Sequence, residues 1–146
     1  MDVRKITPSD TSEIASLERD IFSVPWCEKD ILSAVCSECA MCYCALDSQG
    51  EIVAYFLGSK IAPEGEIYRI ATRGDKRGRG IAYRLLDYVV RTEAEEGLES
   101  LFLEVRESNV AARGLYTSYG FTVIGRRKKY YTEPTEDAII MALIKE

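Results

Sequence analysis

Residues 69–82 read RIATRGDKRGRGIA, a β-type segment that passes through a charged, glycine-bearing loop into an amphipathic helix. Such a turn leaves backbone N–H groups at the helix start free to bind an anion, the outline of a phosphate cradle. Residues 77–82 fit RxxGxA, with Arg77, Gly78, Arg79, Gly80, Ile81 and Ala82 in order. Gly80 lets the backbone approach a ligand closely, and small Ala82 keeps the next turn from obstructing it. Arg73, Lys76, Arg77 and Arg79 concentrate positive charge on a chain whose formal net charge is −5. Without the helix that follows, Arg77 and Arg79 would read as solvated loop charges; with it, they indicate one anionic ligand rather than a polyanion.

Upstream, VRKI (3–6) is a first short strand, and Thr7 and Pro8 are an N-cap and N1 pair opening a helix through about Phe22. Ile14, Leu17 and Ile21 form its apolar stripe. Pro25 and Trp26 interrupt before a second short helix over roughly 28–35. AMCYCALD (40–47) and EIVAYFLGSK (51–60) make a β-hairpin around Ser48, Gln49 and Gly50. GEIYRIAT (65–72) leads into the cradle, and the helix after it buries Ile81, Leu85 and Val89 with Leu86 and Val90 until Gly97 ends it.

Downstream, SLFLEVR (100–106) is a fifth strand, and NVAARGLYTSY (109–119) is a helix capped by Ser108 or Asn109 and stopped at Gly120. FTVIGRRKKYY (121–131) and EDAIIMALI (136–144) close the chain as a strand pair. The order βααβββαβαββ predicts one α/β (α+β) domain over residues 1–146. Its centre is a mixed, mostly antiparallel sheet of about seven strands with helices on both faces.

Composition narrows the chemistry. At 146 residues the chain can bury a core without a staple. No apolar run reaches membrane-spanning length, and MDVRKITPSD at the N-terminus has no signal-like apolar centre. Five cysteines read as reduced thiols, so a cytoplasmic location is the expectation. Cys36, Cys39, Cys42 and Cys44 raise a zinc hypothesis, but Cys42 and Cys44 share one face of a buried strand and the separated CxxC knuckles of structural zinc are missing. No metal is therefore expected. The chain has no histidine, which excludes Ser-His-Asp and Cys-His catalysis and most catalytic zinc sites. A general base has to be a carboxylate, a lysine, a tyrosine or water.

With this element order and RxxGxA at the third long helix, the chain resembles the GNAT acyltransferases, which bind acetyl-CoA. PWCEKDI (25–31), FLEVRESNVAARGLYTSYGF (102–121) and RRKKYYTEPTEDAIIMAL (126–143) resemble the bacterial RimI type, which acetylates the N-terminal alanine of a small-subunit ribosomal protein. LEVRxSN followed by LYxxxGF, and the YY…EDAIIMAL ending, are narrower signals than RxxGxA. The resemblance implies a GNAT fold and acetyl-CoA as cosubstrate. It also implies a protein N-terminus as acceptor, with neither membrane nor direct nucleic-acid binding.

Carried over residue by residue, the resemblance has Ile70, Ala71 and Thr72 bonding the pantetheine arm as an added edge strand. Residues 77–82 hold the pyrophosphate and Asn109 contacts the cofactor. Glu104 is the base and Tyr116 the acid; Pro25, Trp26, Tyr130 and Tyr131 border the acceptor entrance. Two departures stand out: Thr72, Arg73, Gly74 and Asp75 replace the usual valine and Asp-Pro run, and Ala82 replaces the commoner final glycine.

The residues carry readings of their own. In SLFLEVR, Leu101, Leu103 and Val105 face one side and Phe102 and Glu104 the other. A carboxylate beside an aromatic on a central strand, partly desolvated, has its pKa raised toward working pH. Strand pattern alone favours an exposed strand-end glutamate, and the LEVRxSN match reverses that preference. Tyr116 fits a core aromatic by spacing, and a hydrogen-bond donor to a departing thiolate by resemblance. Asn109 serves as an N-cap whether or not it also meets a ligand. Residues 126–129 read as charges protecting a sheet edge rather than as an RNA face.

Two other readings share these motifs. One is the same chemistry on a small amine or another protein terminus. The other is a non-catalytic acyl-CoA-binding sensor. The cradle lacks the GKS or GKT ending of a P-loop and the third glycine of a dinucleotide fingerprint.

Overall fold

The computed structural model describes residues 1–145. Seven strands form one sheet: β1 (Asp2–Lys5), β2 (Tyr43–Leu46), β3 (Ile52–Ile61), β4 (Glu64–Thr72), β5 (Ser100–Arg106), β6 (Thr122–Tyr131) and β7 (Glu136–Ile144), in the spatial order β1-β2-β3-β4-β5-β7-β6. Every neighbouring pair is antiparallel except β4 with β5. The helices are α1 (Thr11–Ile21), α2 (Glu28–Cys36), α3 (Ile81–Glu95) and α4 (Val110–Tyr119). Helix α3 is the crossover that the one parallel pair requires.

The alternation of side chains along the strands builds two cores. Tyr43, Phe56, Ile67, Leu101, Leu103 and Val105 pack against Leu85, Leu86 and Val89 of α3 and Tyr116 of α4. Cys42, Cys44, Tyr55 and Leu57 pack on the other face against Ile14 and Leu17 of α1 and Ile31 of α2. Cys42 and Cys44 are thus core residues, and all five cysteines are free thiols.

Helix α1 is entered through a 3-10 turn over Pro8–Asp10 rather than directly from Pro8. The Asp10 carboxylate accepts from the Thr7 N–H at 2.7 Å and from the Arg4 guanidinium at 2.7 Å, which tightens the first turn. Helix α4 begins at the Asn109 cap, whose side chain accepts from the Ala112 N–H at 3.1 Å. Of the two N-caps open in the sequence, Asn109 is the one used. Strand β6 forms the sheet edge with residues 126–129 exposed along it. There Arg126 lies 2.9 Å from both Asp137 and Glu107. Among the described residues no helix is long and apolar enough to cross a membrane.

Candidate active site

The parallel pair at the middle of the sheet does not run its full length. Residues 64–67 of β4 pair with 100–103 of β5, and there the pairing stops. Beyond that point β4 stays with β3, Arg69 facing Leu57 through Thr72 facing Ala54, while β5 stays with β7, Glu104 facing Ile140 through Arg106 facing Ala138. A register shift between Leu57 and Gly58 bends the β3/β4 pair at the place where the gap opens. Only glycine fits at position 58, because a Cβ there would lie 2.5 Å from the Glu66 carbonyl oxygen. The inner edges of β4 and β5 are therefore left facing one another across a wedge.

Two connected hollows occupy it. One, of ≈ 220 Å³, is bounded by Glu104 and Arg106 of β5, Tyr68 and Arg69 of β4, Tyr116 of α4, Tyr131 of β6 and residues 22–24 after α1. The other, of ≈ 490 Å³, runs along Ile70, Ala71 and Thr72 to Arg77, Gly78, Gly80, Ile81 and Ala82. Phe22, Ile70, Asn109 and Ala112 line both, so the two form one passage. The larger branch alone lies within the ~300–1,000 Å³ of small-molecule sites.

Its far end is built for an anion. Gly78 and Gly80 have φ of +78° and +73°, left-handed values that side chains rarely adopt, and a Cβ at either would meet nothing within 4 Å. The loop therefore uses glycine for its conformation and leaves open room above the main chain. Gly80 is the N-cap of α3, and the helix carries no acidic residue in its first turn. Its amide dipole is thus uncompensated by the chain itself. Arg73 is engaged with Asp75 at 2.7 Å and Glu51 at 3.4 Å, whereas Lys76, Arg77 and Arg79 form no ion pair among the described residues. The departure from the usual loop sequence is accommodated by a 3-10 turn over Gly74–Lys76, closed by the Lys76 N–H on the Arg73 carbonyl at 2.9 Å.

The near end holds titratable groups from both faces of the sheet. Tyr116 is 5% exposed with its ring against Phe121, and burial, with Tyr131 adding, pushes its phenol well above the ordinary value. Tyr116 is a protonated donor at neutral pH. Glu104 projects from the opposite side of β5 to Leu103 and Val105, as the alternation predicts. Its surroundings differ from the expectation of a carboxylate desolvated beside an aromatic: Oε1 lies 3.2 Å from Arg127 Nε of β6. Glu66, opposite Phe102 and on the same sheet face as Glu104, has its carboxyl pushed up by partial burial and then by the Glu104 charge. Tyr131 is pushed up likewise, by burial first and Glu104 second.

The passage thus gathers Ile70, Ala71, Thr72, Arg77, Gly78, Gly80, Ile81, Ala82, Glu104, Asn109, Tyr116 and Tyr131. Arg79 stands beside it on the exposed loop. Pro25, Trp26 and Tyr130 do not line it: Pro25 is exposed, Trp26 packs on Tyr68 at 5.7 Å, and Tyr130 lies beneath the Arg127 guanidinium at 5.1 Å. Phe22, Tyr68, Arg69, Arg106 and Arg127 belong to the site or its walls; Arg69, Arg106 and Arg127 stand inside the quoted stretches, but nothing in those stretches assigns them a role. For Tyr68, Arg69 and Arg106 alternation along β4 and β5 gives a face, and it does not reveal where the two strands part.

Residues 11–121 match the model of the acetyltransferase (GNAT) family. The chain is 32% identical over 143 residues to the [ribosomal protein bS18]-alanine N-acetyltransferase of Escherichia coli, covering 97% of this chain and 95% of that protein. It is 33% identical over 142 residues to an uncharacterized N-acetyltransferase of Methanocaldococcus jannaschii, covering 97% and 90% respectively. The crystal structure of the ribosomal-protein-S18-alanine N-acetyltransferase from Escherichia coli superposes with a TM-score of 0.92 at 30% identity, over 99% of this chain and 94% of that one.

Proposed function

As this chain belongs to the GNAT acetyltransferase family and is an acetyl-CoA-dependent N-acetyltransferase, we propose that its acceptor is the N-terminal α-amine of a protein, most specifically the N-terminal alanine of ribosomal protein bS18. The observation that carries this reading is the through-sheet passage. It joins an anion cradle at the start of α3 to a carboxylate and a protonated phenol in the wedge between β4 and β5. The five free cysteines support a cytoplasmic setting.

The cradle fits the cofactor's diphosphate: main-chain N–H groups, open space above Gly78 and Gly80, and Lys76 and Arg77 at the rim. Ile70 and Thr72, on either side of Ala71, present backbone groups on the side of β4 that β5 has vacated, where an amide-bearing arm adds as an extra strand. Asn109 meets both branches and steers that arm while capping α4. Acetyl-CoA, when bound, supplies an acyl group activated as a thioester.

Glu104 removes the proton that the incoming ammonium must lose. An α-amine has an unperturbed pKa of about 7.7–8.0, so a carboxylate aided by water is base enough, whereas a lysine amine near 10.4 demands much more. Arg127 Nε, 3.2 Å from Glu104 Oε1, restrains the rotation of that carboxylate. Tyr116, kept protonated by burial, donates its hydrogen to the sulfur that leaves. None of the five cysteines lines the passage, so both substrates react in one ternary complex without an acyl-cysteine.

Acetyl-CoA and short peptides differing only at residue one, with a thiol reagent reporting CoA release, test this reading. Release with alanine-first peptides and none with N-terminally blocked ones is the expected pattern. CoA binding with no release for any amine would instead identify a sensor.

A further inference from the structure

Two arginines stand where the central strands part, one on each inner edge, and both line the branch that holds Glu104 and Tyr116. Arg69 of β4 reaches back to the segment between α1 and α2. Its Nη2 donates to the Val24 carbonyl at 3.0 Å, its guanidinium covers the Phe22 ring at 4.0 Å, and its Nε lies 3.4 Å from Glu18 Oε1. Glu18 is wholly buried, and its carboxylate also accepts from the Trp26 N–H at 2.9 Å and the Tyr55 hydroxyl at 2.5 Å. A buried carboxylate survives only with such a full set of partners. Residues 22–26 are thereby tied to the sheet through one charge and its arginine.

Arg106 does the equivalent on the other side. Nη1 donates to the Pro134 carbonyl at 2.9 Å and to Glu136 Oε1 at 3.0 Å, and Nη2 donates to the Thr132 carbonyl at 2.9 Å. The same guanidinium covers the Tyr131 ring at 4.5 Å. The turn between β6 and β7 is held by this fork, and the Ser108 N–H on Glu136 Oε2 at 3.0 Å links it to the start of α4. Several donors in one rigid plane are what arginine offers and lysine does not.

The geometry points to Arg69 and Arg106 as paired positioning residues that fix the two lips of the acceptor entrance, residues 22–26 and 131–136, and so set the affinity for the first residues of the acceptor. This rests on the N-terminal acetyltransferase reading. Neither arginine lines the cofactor branch, and of the two lips only Phe22 reaches it, so the prediction is selective: loosening a lip weakens the acceptor much more than acetyl-CoA.

Arg69→Lys and Arg106→Lys keep the charge opposite Glu18 and Glu136 while losing the fork. Each is expected to raise the KM of a short alanine-first peptide about tenfold, the worth of one charged hydrogen bond, with the acetyl-CoA KM changed less than about twofold. A second readout needs no acceptor, because Trp26 is the only tryptophan. Arg69→Lys is expected to shift its emission to longer wavelength and increase acrylamide quenching, and Arg106→Lys to leave both unchanged. Should Arg69→Lys fail to fold, the double variant Glu18→Gln with Arg69→Gln removes both charges together and is expected to give the same changes. Peptide and acetyl-CoA KM rising in parallel, or an unaltered peptide KM, overturns the inference, as does Trp26 emission indifferent to Arg69. Parent enzyme that fails to acetylate the peptide counts against the underlying reading, and Trp26 emission then decides the Arg69 tether alone.

Discussion

Replacing Glu104 by glutamine keeps the side chain's size and removes its basicity. A positioned general base contributes ~10²–10⁴-fold, or roughly 2.7–5.5 kcal/mol of the barrier, and Glu104→Gln is expected to lower kcat by that factor with an alanine-first peptide near neutral pH. Its structural cost is small. The ion pair with Arg127 joins side chains 23% and 55% exposed, so its loss costs about 0–1 kcal/mol and lowers the melting temperature by no more than about 4 °C. Glu104 lines the near branch and not the cofactor branch, so calorimetric CoA affinity stays within about twofold. The defect also shrinks as pH rises past about 8, because the α-amine then sheds its proton unaided. Thiol release across pH measures all of this. A variant within about threefold of the parent kcat at neutral pH refutes the base assignment.

Tyr116→Phe removes the proposed donor to the leaving sulfur, so kcat is expected to fall more than acetyl-CoA affinity; equal loss in steady-state kinetics and calorimetry would reduce the residue to packing. Gly80→Ala places a side chain at φ +73° where nothing crowds it, so the cost is conformational, about 1–2 kcal/mol in thermal or urea unfolding, accompanied by weaker CoA binding in calorimetry. Tyr43, Tyr55, Tyr116 and Tyr119 all have raised phenol pKa values, chiefly from burial. The unfolded chain then releases protons that the folded one keeps. Stability is full below about pH 10 and declines above it by up to ~1.4 kcal/mol per pH unit per group, measurable as a falling urea midpoint; a flat midpoint to pH 11 would contradict the burial.

Much of this architecture was legible in the residues. The element order βααβββαβαββ is the observed one, because each element carries its own period and punctuation: Gly97 and Gly120 stop α3 and α4, and Leu101, Leu103 and Val105 alternate with Phe102 and Glu104. The left-handed glycine loop at the start of α3 was legible for the same reason, since RxxGxA concentrates special backbone and charge in six consecutive residues. What local pattern could not give is where two parallel strands cease to pair. That depends on the shift between Leu57 and Gly58 and on the close approach of Gly58 to Glu66. For the same reason Arg127, distant in sequence, was not visible as the partner of Glu104, nor were the tethers made by Arg69 and Arg106 where the strands part. Pro25 and Trp26 belong to the entrance segment 22–26 without lining the passage, because the chain turns at Val24, where Arg69 holds it.

The central claim is that a passage through the sheet delivers an acyl group to an α-amine beside Glu104. Its most direct test is a single incubation of the chain with acetyl-CoA and a peptide bearing both a free N-terminal alanine and an internal lysine, followed by fragment mass spectrometry. One acetyl group on the alanine nitrogen, absent with Glu104→Gln, is the predicted result. Acetylation of the lysine alone, or an unmodified peptide despite bound coenzyme A, would contradict it.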